Sequence, residues 1–288
     1  MQLHEHANIS YVSAGVRYPL QTFDLYVPHS DDPAPRPLIC FVHGGAWRSE
    51  DKADHAQLAR RLAALTRCPV AVPNYRLTTP ITPLFHPSHA ADLRRFLDFL
   101  LTWPGPGPAA RAPPYDPARL YLLAHSCSAH MLSSILLAPP PRSSAAYPVL
   151  APSPALLAAT RAVVLSEGLY DIDLLLHTFP AYKDSFIKKT FTDRDSYAPF
   201  NTATYALRPG AAHIRWLILH SPNDSLVDRA QSEAIYAHLH DLYQVQGQDP
   251  ARAVQRNWDD LQEEHNELLA GEVYPAIVAN FIADDVQK

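Results

Sequence analysis

Leu120-Tyr121-Leu122-Leu123-Ala124-His125-Ser126-Cys127-Ser128-Ala129 carries the pattern that decides the fold. Residues 120–124 form a short apolar run, as a buried strand does, and 129–138 read as a helix. Between them stands Ser126, with Ala124 two residues before it and Ser128 two after. A serine at so sharp a strand-to-helix turn is lifted out of the sheet, with a helix N-terminus behind it. The turn accepts only small residues at both flanks. An apex at Cys127 would crowd His125 into a flank, and one at Ser128 would do the same to His130. Ser126 is therefore the candidate nucleophile. A serine that only caps the following helix is the competing reading.

Working outward, residues 37–42 (Pro-Leu-Ile-Cys-Phe-Val) are apolar throughout, like a central strand buried on both faces. His43-Gly44-Gly45-Ala46-Trp47 follows directly. Glycines let backbone N–H groups come close to a ligand. Acyl transfer needs such donors, because its tetrahedral intermediate places negative charge on oxygen. Gly44, Gly45 and the residue after the nucleophile, Cys127, are the expected oxyanion donors, and His43 is expected to brace the loop. A plain glycine turn competes with this. The serine also needs a base and an orienting acid, in the chain order serine, acid, histidine. A strand at 214–220 runs into Ser221-Pro222-Asn223-Asp224, so Asp224 is the expected acid, with helix capping as its other role. Asp228 is the second choice and Glu167, just past a strand at 162–165, the third. His265, in Glu263-Glu264-His265-Asn266, is the expected base; a solvated histidine is the alternative.

Elsewhere, 21–27 alternates like a half-exposed antiparallel strand, and 70–72 and 253–258 read as short strands. Helical spacing occupies 51–67, 91–103, 226–243 and 267–284. Alternating strands and helices predict a mostly parallel sheet with helices on both faces. Residues 171–210 fit no strand of that sheet and are expected to form a cap or lid over the site. With 288 residues the chain suits one domain, spanning 1–288.

Composition narrows the partners. A hydrophobic share of 47% against 18% charged supplies a sizeable core. The net charge of −5, without a basic stripe, argues against nucleic acid and anionic membranes. No apolar run approaches the ~20 residues that span a bilayer. Residues 1–11 do not read as a signal peptide. Cys40, Cys68 and Cys127 are an odd number, expected as free thiols in a reducing compartment, hence a cytoplasmic protein. The prolines cluster at 28–37, 103–117 and 139–154, expected as surface loops. His86 and His89 flank Pro87, and no other metal-ligand spacing occurs, so neither a metal nor a cofactor is expected.

His43-Gly44-Gly45-Ala46-Trp47, Asn74-Tyr75-Arg76-Leu77 and His125-Ser126 together resemble the hormone-sensitive-lipase-like branch of the α/β hydrolases. Within it the chain resembles the fungal kynurenine formamidase (arylformamidase) family. That narrower likeness rests on His86-Pro87 with Asp92, on Glu167-Gly168-Leu169-Tyr170-Asp171, and on Phe179-Pro180-Ala181-Tyr182 with Phe186. It rests also on 220–224 and on His265-Asn266, and runs from about residue 21 to 270. The resemblance implies an α/β-hydrolase fold and hydrolysis of N-formyl-L-kynurenine to kynurenine and formate, in tryptophan catabolism. It implies a cofactor-free Ser126-Asp224-His265 triad, and a small aryl formamide or ester held by Trp47, Tyr170 and Tyr182. Ser128 and the Glu263-Glu264 pair depart from the family's usual residues. The alternatives are a carboxylesterase, or a hydrolase or acyltransferase of fungal secondary metabolism on the same triad. A ligand-binding protein without catalysis is the reading from another class. Monomer and homodimer are equally open.

Overall fold

Strands β1 (Leu3–Ser10), β2 (Thr22–Pro28), β3 (Pro37–Val42), β4 (Val70–Pro73) and β5 (Asp116–His125) build the first part of the sheet in this computed structural model. After β6 (Leu137–Ala138) come β7 (Thr160–Ser166), β8 (Ala206–Leu207), β9 (Arg215–Leu219) and β10 (Val254–Asn257). The structure describes residues 2–12, 19–32, 34–107, 110–141 and 148–286. Residues 33, 108–109 and 142–147, parts of the proline-rich stretches, lie outside these. Eight strands form one sheet in the order β1-β2-β4-β3-β5-β7-β9-β10. The β1–β2 and β2–β4 pairings are antiparallel and all others parallel. This is the α/β-hydrolase fold, with the candidate site at the C-terminal ends of the parallel strands, where functional groups of such sheets collect.

Strand β3 shows why the sheet is central. All six of its residues are buried. Leu38, Cys40 and Val42 face one core, and Ile39 and Phe41 the other, as a period of two requires. Helix α1 (Ala56–Thr66) lays Leu58 and Leu62 on the second core, beside Val278 and Phe281 of the last long helix (Val273–Val286). Each such leucine contributes about 1.5–3 kcal/mol by leaving water. Helix α1 stops at Arg67, which takes the left-handed conformation at φ 59°. Helices α2 (Ser88–Leu100) and α3 (Cys127–Leu136) cover the opposite face with Leu93, Phe96, Leu97 and Leu132.

Some elements differ from expectation. Strand β1 carries little apolar pattern, because five of its eight residues, His4, Glu5, Ala7, Asn8 and Ser10, face solvent on a sheet edge. A helix at Pro154–Ala159, capped by the Ser153 hydroxyl accepting from the Leu156 N–H (3.1 Å), is too short to show periodicity. The last helix starts at Val273; residues Glu267–Leu269 before it form a tighter turn. Residues 171–210 contain the helix Ile172–Thr178, a continuous helical stretch formed by Lys183–Ile187 and Lys188–Phe191, two tighter turns and β8, which pairs with β6 outside the main sheet. Among the described residues, no helix is long and apolar enough to cross a membrane.

Candidate active site

Strand β5 ends at His125 and α3 begins at Cys127, leaving Ser126 alone at the turn. Its φ of 58° and ψ of −127° lie where a residue with a Cβ is strained, at a cost of order 1–3 kcal/mol. The surroundings enforce this. The Ser126 N–H donates to the Ser166 carbonyl on β7 at 3.0 Å. The hydroxyl of Ser128 accepts from the His125 N–H (2.9 Å) and lies 2.8 Å from the carbonyls of Val42 and His125. A glycine there would lose these ties, so the departure at 128 stitches the turn to β3.

The loop after β3 presses against this turn. A Cβ on Gly44 would fall 3.0 Å from the Cβ of Ser126. Gly45 has φ +87°, and a Cβ there would sit 2.2 Å from the Ser49 carbonyl oxygen. The Tyr75 hydroxyl donates to Gly44 O at 2.6 Å and lies 3.2 Å from His43 O, and its ring stacks on His43 at 4.6 Å. His43 Nε2 reaches Asn74 Oδ1 at 3.2 Å. Arg76 grips buried Asp92 through two nitrogens, at 2.6 and 2.7 Å. The Asn74-Tyr75-Arg76 motif thus builds the wall behind the glycine loop. Backbone N–H of Trp47 donates to Cys127 Sγ (3.3 Å), which takes that group out of any oxyanion role. Burial pushes the Cys127 thiol up to about 12, so at neutral pH it is no thiolate.

The candidate base and acid, His265 and Asp224, lie in two loops beyond β10 and β9. His265 Nδ1 lies 2.8 Å from Asp224 Oδ2. Asp224 Oδ1 accepts from the N–H groups of Leu226 (2.8 Å) and Val227 (2.9 Å). Glu264 and Glu263, which depart from the residues usual in the family the sequence resembles, clamp these loops together. Glu264 Oε2 accepts from the Ser225 hydroxyl at 2.8 Å, and Glu263 O from the Ser221 hydroxyl at 2.6 Å. Asp228 sits apart, taking a hydrogen bond from the Thr178 hydroxyl at the start of the helix Arg229–Val245. Glu167 approaches His265 Nδ1 to 3.2 Å through Oε2. Burial alone would depress His265, but the hydrogen bond to Asp224 and the nearby Glu167 carboxylate outweigh it and raise the imidazole to about 9. Burial raises Glu167 to about 7 against the pull of His265. The buried ring of His125 lies 4.5 Å from His265, and burial holds it well below the usual histidine range.

Ser126 and His265 open onto one cavity of about 290 Å³. Tyr182, Phe186, Leu169 and Val227 form its apolar wall, and Arg48 and Glu50 add one charge of each sign. Two expectations are corrected here. Trp47 and Tyr170 do not line the cavity; both are fully buried. Trp47 packs edge-on against His130 and Phe191, because the glycine loop turns its side chain inward. Tyr170 is held by its N–H to Gln231 Oε1 (2.8 Å), which sends the ring beneath the site against Gly168. Arg48 and Glu50 were missed, although they follow the glycine motif immediately. Among the described residues, His125, Glu167 and His265 offer three potential metal-ligand atoms within 4.8 Å of one another. His265 is already bound to Asp224 through Nδ1, so a cation held at that atom would compete with the pair.

Known proteins share these features. The sequence profile of the BD-FAE family matches residues 23–239. Kynurenine formamidase of Meyerozyma guilliermondii is 24% identical over 202 residues, covering 68% of either chain. Among solved structures, esterase B from Lactobacillus rhamnosis superposes with a TM-score of 0.73 at 18% identity, covering 99% of this chain and 87% of that one. A truncated carbohydrate esterase from gut microbiota gives 0.71 at 14% identity, covering 99% and 97%. At these identities the structural likeness is one of fold.

Proposed function

The chain belongs to the BD-FAE family of α/β hydrolases, and on that premise we propose that it is a serine hydrolase cleaving the formamide of N-formyl-L-kynurenine to kynurenine and formate. The observation that carries this reading is the Asp224–His265 hydrogen bond at 2.8 Å beside a strained Ser126 in the same cavity. In this mechanism His265 takes the Ser126 proton as Oγ attacks the formyl carbon. The oxyanion is met by the N–H groups of Gly44, Gly45 and Cys127. His265 then returns the proton to the departing aryl nitrogen. Water, activated by the same base, releases formate from the formyl-serine.

The substrate follows from shape and charge. Formyl is the smallest acyl group and needs almost no acyl pocket in a cavity of about 290 Å³. The Tyr182–Phe186 wall suits an aryl ring, and Arg48 with Glu50 suits the carboxylate and ammonium of an amino acid. The name of the Meyerozyma relative agrees. The reaction uses a cofactor-free cytoplasmic enzyme, monomer or homodimer, beneath a cap at 171–210. Carboxylester cleavage is the second reading, favoured by an adjoining cavity of about 440 Å³ that shares Ala46, Arg48 and Phe186 and has room for a larger group. A substrate panel separates the two. The formamidase reading expects a higher kcat/KM for N-formylkynurenine than for p-nitrophenyl acetate, and poor turnover of butyrate and longer esters. Formylkynurenine left untouched while short esters react well would replace it with the esterase reading.

A further inference from the structure

Glu167 is placed with unusual insistence for a carboxylate. It follows β7 directly, its N–H donates to the Leu219 carbonyl of β9 at 3.0 Å, and its φ of 48° is left-handed. Side chains other than glycine adopt that region only when the surroundings demand it. It is fully buried. Its Oε1 accepts from the Ser221 N–H at 3.2 Å, in the loop that carries Asp224. Its Oε2 comes within 3.2 Å of His265 Nδ1 and has no directed hydrogen bond there, because that N–H is aimed at Asp224. Two carboxylates from the ends of two neighbouring strands thus converge on one ring nitrogen. A buried carboxylate beside another is expensive to keep unless a proton lies between them.

We propose that Glu167 is a positioning residue of this centre, a second carboxylate that holds the His265 imidazole at Nδ1 in parallel with Asp224. The proposal rests on the serine-hydrolase reading above. With either carboxylate in place, the Nδ1–H tautomer is retained and Nε2 stays free to serve Ser126; with neither, the tautomer is lost. The second carboxylate also adds to the stabilisation of the imidazolium. The other titratable groups around it are Asp224, His125, His220, Glu50 and Tyr274. His125 faces the ring of His265, and its burial disfavours the charged form, so it is a poor source of the missing positive charge.

The test compares Glu167→Gln, Asp224→Asn and the double variant, following kcat/KM against pH and sulfonyl-fluoride labelling of Ser126. Amidation of a lone triad aspartate lowers kcat by about 10⁴-fold. Here Asp224→Asn is expected to lose only on the order of 10²-fold, and the double variant a further ~10–100-fold, towards that limit. Glu167→Gln alone should keep KM and shift the acid limb of kcat/KM downward by about one unit, because one negative neighbour of His265 is gone. A merely structural glutamate would leave the acid limb where it is and would not deepen the loss in the double variant. A double variant no slower than Asp224→Asn, with an unmoved acid limb in Glu167→Gln, overturns the proposal. Should Glu167→Gln fail to fold, the Nδ1 proton of His265 in Asp224→Asn protein decides: a persistent low-field resonance supports it, and disappearance overturns it. Absence of Ser126 labelling in the unsubstituted enzyme would instead overturn the serine-hydrolase reading itself.

Discussion

Asp224 divides its carboxylate between two tasks: Oδ2 holds His265 Nδ1 at 2.8 Å, while Oδ1 takes the N–H groups of Leu226 and Val227. The backbone bonds fix the carboxylate, and the carboxylate fixes the ring. Asp228, only four residues on, takes the Thr178 hydroxyl instead. Asp224→Asn should therefore slow the enzyme on the order of 10²-fold, with Glu167 sparing the rest of the usual ~10⁴-fold loss. Asp228→Asn keeps the shape of the side chain and its Thr178 contact, and should stay within about threefold. Steady-state kcat/KM of the two proteins checks the ranking; the reverse order would move the acid to Asp228.

The strain at Ser126 gives a prediction that joins stability to activity. A glycine adopts φ 58°, ψ −127° without penalty, whereas serine does not. Ser126→Gly should therefore abolish turnover, by about 10⁶-fold in kcat as for other triad serines. It should also raise unfolding stability by about 1 kcal/mol, less the larger freedom of glycine in the unfolded chain. Paired thermal melts and kinetics test this. An inactive protein that melts lower would mean the turn is not strained. Retained activity would remove Ser126 from the mechanism.

Much of this site was legible because its signals are local. Strand β3 was read to the residue, since a continuous apolar run ends where the glycine loop begins. The order of serine, acid and histidine pointed to Ser126, Asp224 and His265, and the chain brings the last two together across 41 residues. Burial direction was not legible. Trp47 and Tyr170 looked like pocket aromatics, yet each turns into the core through backbone geometry that composition does not encode. Tyr182, in the same aromatic segment, does line the cavity and reaches the Leu226 carbonyl with its hydroxyl at 3.1 Å. Glu167 ranked third as an acid because sequence order asks for one carboxylate; that two converge is visible only once β7 and β9 are neighbours. Strand β1 was missed because a solvent-facing edge carries little hydrophobic pattern.

The pH profile should move with the same electrostatics. A base acts only when neutral, so activity is absent below the histidine's pKa and appears as pH rises through it. An ordinary imidazole has its midpoint near ~6.5. The Asp224 hydrogen bond and the Glu167 carboxylate favour the protonated ring beyond its burial cost, raising it to about 9. The acid limb of kcat/KM should accordingly lie above pH 6.5, and Asp224→Asn should bring it down. A limb at or below the ordinary value in the unsubstituted enzyme would show that the two carboxylates do not act on His265 together.

Arg48 offers the sharpest test of substrate class. It is exposed at the cavity rim, its guanidinium lying 5.9 Å from the Phe186 ring and donating to the Ser185 carbonyl at 3.1 Å. Those contacts leave further donors on its planar fork, which suits a carboxylate. The cavity wall beside it carries Tyr182 and Phe186, where an aryl ring would lie, so a carboxylate on the side chain of that ring falls within reach of Arg48. Arg48→Met keeps the stem over Phe186 and removes only the charge. It should raise KM for N-formylkynurenine about 10–100-fold, the 1.5–3 kcal/mol of a charge-assisted hydrogen bond, with little change in kcat. For formanilide and p-nitrophenyl acetate, which carry no carboxylate, KM should stay the same. Equal losses on charged and neutral substrates would mean that Arg48 shapes the cavity and does not read the substrate. No loss on either would place the carboxylate elsewhere and take away the charge argument for an amino-acid formamide.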